Sequence, residues 1–576
     1  MELKEDAIAA LGSAKPAFLE AEGAEQQGAW PNATWMITGS RLPKAPPRLA
    51  DYGVKERLIA RWHEVAQEDA ASRAAAGAQP GTGQPVGDFV NAQQRALFSI
   101  CSSYKDVFLP AREYPQSGDS PDALMDACLL HCLNHVTTAA GRIKKNNDRL
   151  KANPDDEVLR DQGFTRPKVL LLLPMRNSAL RVVSRLVQLA QKETRADSVQ
   201  NKQRFLEEFG AEEGDDEPEE LDGKRRMQPK PADHKALFDG NCDDHFRMGV
   251  KITRGAVRLF SDFFQSDIIV ASPLALATKI NEASKEGAAT VDFLSAIEIA
   301  VVERADVLQM QNWIHVKTVF DALNKVPEEQ HGVDIMRVRE WYLSGWGRFY
   351  RQTIVLSSFA SAEMNALFNR TCVNHAGKAR LRPVYKGVLG QTNAPLRQLF
   401  ERFEPADAGS DADARFEYFK KTIWLRIRES GSTGQLIFVP SYFDFVRLRN
   451  FLKAEAAHFV GLCEYAKHSD VSRGRSHFFH GRRRIMLYTE RAHFYNRYRI
   501  RGVKDVYFYQ LPEHATAYAE LLASLTDSAA ASGDEFHQAT VTALFSRFDT
   551  LQLERVVGSG RHRKMLKPGT STFMFC

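Results

Sequence analysis

Short apolar runs alternate with helix-like stretches along the first two thirds of the chain. Four of these runs, at residues 169–174, 268–271, 297–302 and 353–356, have strand length, and a weaker one lies at 106–109. Uninterrupted apolar runs of this length are typical of strands that are covered on both faces of a sheet. The pattern therefore predicts an α/β domain with a largely parallel sheet.

A second series of apolar runs, at 435–439, 461–464, 485–488 and 506–509, repeats the pattern and predicts a second α/β domain. The predicted division has four parts. They are an extended N-terminal arm over 1–87 with one helix at 53–66, a first domain over 88–371, a second domain over 372–524, and a C-terminal extension over 525–576 with an amphipathic helix at 535–548 and a basic tail.

Composition narrows the class of protein further. Hydrophobic residues make up 44% of the chain, which is ordinary for a globular protein. A chain of 576 residues is too long for a single hydrophobic core. Seven dispersed cysteines indicate reduced thiols in the nucleus or cytosol. An acidic N-terminus and the lack of any 18-residue apolar run argue against secretion and against a membrane span.

Charge is distributed unevenly along the chain. Residues 207–222 contain ten acids, so we expect a disordered acidic insertion at about 205–232. From Arg473 to Lys504 there are ten Lys or Arg residues and one acid, Glu490, with Phe and Tyr residues set between the cations. Cations with stackable rings are what a phosphate backbone and unpaired bases require. The alternative is a solvated basic face on a core sheet.

Four potential metal ligands, Cys128, His131, Cys132 and His135, follow one another at helical spacing. On one helix they would share a face but span about 10 Å, at ~1.5 Å per residue. Four ligands on such a line cannot enclose one tetrahedral ion, so we predict a packed core face and no metal site.

Longer segments carry a family resemblance from about residue 50 to the C-terminus. They include QQRALFSICSSYKDVFL, RPKVLLLLPMRNSAL, LFDGNCDDHFRMGVKIT, DFLSAIEIAVVERADVLQMQNW, FVPSYFDFVRLRNFLK and LYTERAHFYNRYRIRGVKDVYFYQLP. With these, the chain resembles the digestive organ expansion factor family, also called U3 small nucleolar RNA-associated protein 25. The family's members are nucleolar components of the small-subunit processome and are themselves similar to DEAD-box helicases. The resemblance implies two RecA-like α/β domains with mainly parallel sheets, as in superfamily 2 helicases.

The same resemblance implies that the catalytic motifs have decayed. PAREYPQSGDS follows the strand at 106–109, where a helicase has a Gly-rich loop that ends in Gly-Lys-Thr. Glu303-Arg304-Ala305-Asp306 stands for Asp-Glu-Ala-Asp, which puts Arg304 in place of the water-activating Glu. The segment EHATAYAELLASL, which follows Leu511-Pro512 where helicases supply an arginine finger, contains no Arg. We therefore expect no catalytic residue, no cofactor and no metal.

The RNA-facing motifs are better retained. Arg176, Ser272, Ser441 and Thr489 match helicase positions that grip backbone phosphates, and arginines surround the last two. The predicted RNA-binding set is Arg176, Ser272, Ser441, Arg447, Arg449, Arg473, Arg475, Arg482, Arg483, Arg484, Thr489, Arg491, Arg497 and Arg499.

The resemblance implies a catalytically inert, helicase-like protein of the nucleus and nucleolus. Its expected partners are pre-rRNA, U3 small nucleolar RNA or both, together with other small-subunit processome proteins, and no membrane. Two alternatives remain open at this stage. One is a protein-only scaffold whose basic face meets acidic partners, and the other is a divergent active ATP-dependent RNA helicase.

Overall fold

The computed structural model describes residues 17–21, 28–38, 41–75, 85–115, 121–153, 159–192, 198–211, 230–391, 396–532 and 539–576. The chain divides into two compact units, Met1–Pro383 and Val384–Cys576. Each unit is built on one sheet with helices packed against it. The predicted α/β class with two mainly parallel sheets is confirmed.

The first unit contains eleven strands and eleven α-helices among its described residues. The strands are β1 (Leu19–Glu20), β2 (Ala33–Ile37), β3 (Asp106–Leu109), β4 (Val169–Leu172), β5 (Val199–Gln200), β6 (Arg247–Ile252), β7 (Val257–Leu259), β8 (Ile268–Ala271), β9 (Ile299–Val302), β10 (Gln352–Leu356) and β11 (Lys378–Pro383). The helices are α1 (Glu56–Ala75), α2 (Ala92–Ser102), α3 (Ala123–Ala152), α4 (Arg176–Ala190), α5 (Lys202–Phe209), α6 (Ala232–Phe238), α7 (Pro273–Glu286), α8 (Ala305–Ala322), α9 (Glu340–Leu343), α10 (Gly347–Tyr350) and α11 (Ala362–Ala366).

The first sheet has the strand order β1-β2-β11-β3-β10-β9-β4-β8-β6-β7-β5. The six strands from β11 to β8 run parallel to one another. Every residue of β3, β4, β8, β9 and β10 is buried, as the apolar runs predict for central strands covered on both sides. At the two ends of the sheet, antiparallel strands extend this parallel core.

Residues 28–38 do not form the extended arm that the sequence suggested. β2 pairs with β11, and the side chain of Trp35 is fully buried. The predicted arm helix is observed as α1, and Arg61 on it donates from Nε to the Gln188 carbonyl of α4 at 2.6 Å. A short apolar segment in a Pro- and Gly-rich region can thus complete a distant sheet edge.

The boundary between the two units lies after Pro383, later than the predicted 371/372. β11 follows the predicted boundary, yet it pairs in parallel with β3 and closes the first sheet against β2. Of the predicted acidic insertion, residues 212–229 lie outside the described residues, whereas α5 and α6 occupy its two margins.

The second unit contains seven strands and eight α-helices among its described residues. The strands are β12 (Arg397–Arg402), β13 (Gln435–Val439), β14 (Phe459–Leu462), β15 (Ile485–Thr489), β16 (Asp505–Phe508), β17 (Thr540–Phe545) and β18 (Thr572–Phe575). The helices are α12 (Asp411–Tyr418), α13 (Trp424–Ser430), α14 (Tyr442–Ala454), α15 (His468–Phe479), α16 (Glu490–Asn496), α17 (Ala515–Ser532), α18 (Thr550–Val557) and α19 (Ser559–Met565).

The second sheet has the order β14-β15-β13-β16-β17-β12-β18, and every pair except β12 with β18 is parallel. The prediction of an amphipathic helix at 535–548 is wrong, because residues 540–545 form β17, which pairs with β16 and β12 within this sheet. A short run that is mostly apolar does not distinguish a buried helix from a central strand. The predicted C-terminal extension is therefore part of the second α/β unit.

Candidate nucleic-acid interface

Parallel strands end at a common edge of the sheet, and open α/β sheets bind ligands at this carboxyl edge. In the first unit β3 and β9 both end there, and a buried ion pair lies between the segments that follow them. Nη1 of Arg112 bonds the carboxylate of Glu303, and Nη2 of the same side chain bonds the carboxylate of Asp122. The Arg112 side chain has no exposed surface. The buried guanidinium of Arg112 is thus bonded to Glu303, the residue that directly follows β9.

The pKa values of Arg112 and Glu303 reflect this ion pair. Burial acts against the charged form of Arg112, but the carboxylates of Asp122 and Glu303 outweigh it and raise the pKa of the guanidinium. Burial raises the pKa of Glu303, and the charge of Arg112 opposes that shift. The charge of Arg112 is thus compensated within the fold by two carboxylates.

Arg304 and Asp306 also have internal partners. The backbone of Arg304 is left-handed, with φ of 49°, and its guanidinium lies 3.8 Å from the ring centroid of Tyr114. Asp306, in the first turn of α8, accepts from Ser358 Oγ at 2.8 Å. A cavity of about 390 Å³ remains beside Tyr114, Glu303 and Arg304. The guanidinium of Arg304, which lines this cavity, is always protonated and cannot accept a proton from water.

The two predicted RNA-binding residues of the first unit serve its own fold. Arg176 donates to Asp243 Oδ2 at 2.7 Å and to the carbonyls of Glu208 and His245, both at 3.0 Å. Ser272 is buried and caps α7 by accepting from the Ala275 backbone N–H at 3.1 Å. Both side chains therefore have hydrogen-bond partners within the first unit.

In the second unit, Ser441 follows β13 by two residues and Thr489 ends β15, so both lie at the carboxyl edge of the sheet. Ser441 accepts from the Asp444 backbone N–H at 3.4 Å and caps α14. Thr489 is buried, caps α16 by accepting from the Ala492 N–H, and donates to Glu464 Oε2 at 3.0 Å. Both hydroxyls therefore act as helix caps.

Three arginines near these caps pair with acids of the second unit. Arg447 on α14 bonds Asp413 and the Ala412 carbonyl. Arg491 lies 3.6 Å from Glu464. The last one, Arg497, is largely buried and pairs with Glu520. A fourth arginine, Arg449, is half-buried on α14.

Other predicted cations lie at the opposite edge of the same sheet. Arg482, Arg483 and Arg484 come just before β15, whereas Thr489 ends it. Five strand residues at ~3.3 Å each place Arg484 and Thr489 on opposite edges, about 16 Å apart. The predicted set therefore does not form the single surface that its order in the sequence suggested.

At the amino edge, basic and aromatic side chains do come together. We call the exposed residues of this edge the amino-edge cluster: Phe479, Arg482, Arg483, Arg499, Arg501 and Lys504. Phe479 is 54% exposed, and a Cβ placed on Gly502 would lie 3.3 Å from its Cα, so α15 and the loop before β16 are in contact. The predicted set omitted Phe479, Arg501 and Lys504, although all three lie within the basic-aromatic stretch of the sequence.

Two predicted residues hold this cluster together. Arg475 donates from Nη2 to the Arg499 carbonyl at 2.8 Å, which ties α15 to the loop that carries Arg499 and Arg501. Arg484 donates from Nε to the Ser432 carbonyl at 3.2 Å and anchors the loop before β13. Arg473 lies on the exposed face of α15, with Asp470 at 3.8 Å.

The four Cys and His residues of α3 are in the interior of the first unit. Cys128 and Cys132 are buried, His131 bonds Gln352 Oε1 at 2.7 Å, and His135 lies 2.8 Å from Glu298 Oε2. Over the residues that the structure describes, no set of three or more His, Cys, Asp or Glu side chains is arranged to hold a metal ion. Within the same residues, no helix combines the length and hydropathy needed to cross a membrane.

Comparison with known proteins matches both units. A family model described as "UTP25, NTP hydrolase-like domain" matches residues 104–379, and one described as "Utp25, C-terminal domain" matches 388–575. Among solved structures, the chain is similar to the RNA-helicase Prp28 from Chaetomium thermophilum bound to ADP, with 13% identity, coverage of 89% and 88% of the two chains, and a TM-score of 0.27.

Curated relatives are much more similar in sequence. Protein NUCLEOLAR FACTOR 1 of Arabidopsis thaliana is 42% identical over 567 residues, which are 95% of this chain and 72% of that protein. The U3 small nucleolar RNA-associated protein 25 homologs of Xenopus tropicalis and Homo sapiens are 42% and 39% identical over 84% of this chain. The chain spans 62% and 63% of the length of these two relatives. With both family models and these identities, the chain belongs to the UTP25 family.

Proposed function

We propose that the chain is a nucleolar component of the small-subunit processome and acts in ribosome biogenesis. Its partners would be U3 small nucleolar RNA, pre-rRNA and other processome proteins. The observation that carries this proposal is the 42% identity over 95% of the chain to a protein named nucleolar factor, together with relatives named for association with U3 small nucleolar RNA.

We further propose that the chain does not hydrolyse nucleotides. Phosphoryl transfer in helicase-like proteins needs a carboxylate for the metal ion and a residue that positions water at the end of the same strand. At this place Arg112 neutralises Glu303, and Arg304 is held over Tyr114. Internal cations thus take the positions that Mg²⁺ and the water-activating acid would need.

Calorimetric titration of the full chain with ATP and Mg²⁺ tests this second proposal. We expect no saturable binding in the micromolar range. Saturable binding, accompanied by release of inorganic phosphate, would instead establish a divergent active ATPase. Arg112→Met serves as a matched variant, because removal of the internal cation should reveal any nucleotide site that Arg112 blocks.

For RNA, the amino-edge cluster is the surface that we propose. Its exposed cations suit phosphate contacts, and Phe479 offers a face on which an unpaired base can stack. Many other arginines of the predicted set are bonded within the protein, which favours this smaller surface. The competing function is a protein-only scaffold whose exposed arginines bind acidic partners.

In-cell ultraviolet crosslinking followed by sequencing of the attached RNA separates these two functions. Crosslinks that map to pre-rRNA or to U3 small nucleolar RNA, and that locate in peptides covering 479–484 or 499–504, would support RNA binding by the cluster. If pre-ribosomal particles co-purify but no RNA is crosslinked, the scaffold function is favoured.

A further inference from the structure

A second large cavity lies at the amino edge of the first sheet, beside the start of β10 and the end of α8. Its volume is about 890 Å³, more than twice that of the cavity beside Glu303. Arg351, which immediately precedes β10, contributes to its wall. The cavity lies at the edge opposite to the degenerate helicase motifs, so the proposals above do not involve it.

Arg351 is an unusual wall residue because its charge is buried without an ion pair. The residue is 2% exposed, Nη1 donates to Asn324 Oδ1 at 2.7 Å, and the guanidinium carbon lies 5.3 Å from the ring centroid of Phe320. Over the described residues, its Nε has no hydrogen-bond partner and no carboxylate forms an ion pair with its guanidinium. The nearby acid Asp106 is occupied by the backbone N–H groups of Thr353 and Asn374, at 2.7 and 3.0 Å.

A buried and unpaired guanidinium is costly, and proteins rarely keep one unless an anion compensates it. The rest of the cavity wall is also basic. Lys325, Arg348 and Arg370 are exposed there, and the single acid among the described lining residues is Asp321. The wall therefore carries four cations and one anion, and a ligand with several negative charges would compensate the excess positive charge.

The remaining wall is apolar, which restricts the kind of anion further. Phe320, Leu323 and Phe349 line the cavity, and Val326 at its mouth is 52% exposed. A carboxylate at the end of a slender Glu or Asp side chain can reach a guanidinium that is 2% exposed. An internal phosphodiester cannot do so as readily, because a ribose flanks it on each side. Apolar side chains of the same peptide would cover Val326 and the aromatic wall.

From these features we propose that the cavity is a docking site for an acidic peptide segment of a partner protein. One Glu or Asp side chain of the peptide enters to pair with Arg351. Flanking carboxylates bind Arg348, Arg370 and Lys325, and an adjacent apolar side chain packs on Val326. This inference does not depend on RNA binding by the second unit.

The test uses the full chain and two labelled probes, a short peptide of alternating Glu and Leu and a single-stranded oligouridine. Replacing both Arg348 and Arg370 by Ala should weaken peptide binding about tenfold or more, because two charge-assisted contacts are lost. RNA binding should be unchanged. The matched control replaces two exposed cations of the same unit that do not line the cavity, with Arg254→Ala and Lys235→Ala, and should keep peptide affinity.

A second variant tests the buried charge itself. Arg351→Gln keeps an amide donor for Asn324 and removes the unpaired charge, so peptide binding should be lost while the melting temperature of the free protein does not fall. Peptide affinity that survives both Arg351→Gln and the double rim variant would overturn the proposal. Loss of oligouridine binding in the rim variant, with peptide binding intact, would overturn it in favour of a nucleic-acid site.

Discussion

The guanidinium of Arg112 pairs with the carboxylate of Glu303 in the buried interior of the first unit, across 191 positions of the sequence. Arg112 follows β3 and Glu303 follows β9, so the pair connects two segments at the carboxyl edge of the first sheet. Asp122 satisfies a second nitrogen of the same guanidinium.

The first prediction concerns this pair. Glu303→Gln leaves a buried guanidinium with one carboxylate fewer and should lower the free energy of unfolding of the first unit by about 3 kcal/mol or more. Urea unfolding followed by tryptophan fluorescence measures the change. The double variant Arg112→Met with Glu303→Gln should cost less than the sum of the two single changes. Additive costs would show that the two side chains do not interact, and the exposed Glu328→Gln serves as the control.

The amino-edge cluster leads to the second prediction. Replacing both Arg482 and Arg483 by Ala should weaken binding of single-stranded RNA and reduce the slope of log affinity against log salt by roughly 1.4, at about 0.7 per lost phosphate contact. Fluorescence anisotropy at several salt concentrations measures both quantities. Arg447→Ala is the matched control, since the guanidinium of Arg447 already bonds Asp413. An unchanged salt slope in the double variant would exclude this cluster as the phosphate-binding surface.

Stacking can be tested separately from charge. Phe479→Ala should weaken single-stranded RNA binding about tenfold, because stacking on one ring contributes roughly 1–3 kcal/mol per base, and the salt slope should not change. Phe443, which is 86% exposed and follows β13 at the carboxyl edge, provides a control on the same sheet. If Phe443→Ala, and not Phe479→Ala, lowers RNA affinity, the RNA surface lies at the carboxyl edge instead.

The fourth prediction concerns pH. Burial acts to raise the pKa of Glu520, but the hydrogen bond from His493 and the charge of Arg497 outweigh it and lower the pKa from 4.5 to about 2. Because the folded pKa lies below the unfolded one, ionised Glu520 stabilises the protein fully above pH 4.5, and this contribution disappears as pH falls toward 2.

Glu520→Gln should therefore lower the free energy of unfolding of the second unit by about 2 kcal/mol at pH 7. The difference from the parent chain should shrink as the pH falls from 4.5 toward 2. Unfolding of both proteins across this pH series measures it, with the exposed Glu429→Gln as the control. A difference that stays constant down to pH 2 would mean that the lost interaction does not depend on the charge of Glu520.

The sequence by itself determined the α/β class and most of the central strands. Runs such as 268–271 and 485–488 are apolar at consecutive positions because both faces of a central parallel strand are covered, and this property is local. The Arg at 304 and the concentration of cations between 473 and 504 are likewise visible in the residues alone. The family resemblance rests on long segments of this kind.

Only the tertiary structure decided how those residues are used. β2 and β17 belong to sheets because of pairing with distant strands, which short apolar segments do not reveal. Arg484 and Thr489 are five positions apart, but a parallel strand carries them to opposite edges of its sheet. The partners of Arg112 and of Arg351 depend on contacts between remote segments. These contacts decide whether an arginine is open to a ligand or bonded within the protein. The sequence shows where each charge is, but the partner of that charge comes from a distant segment.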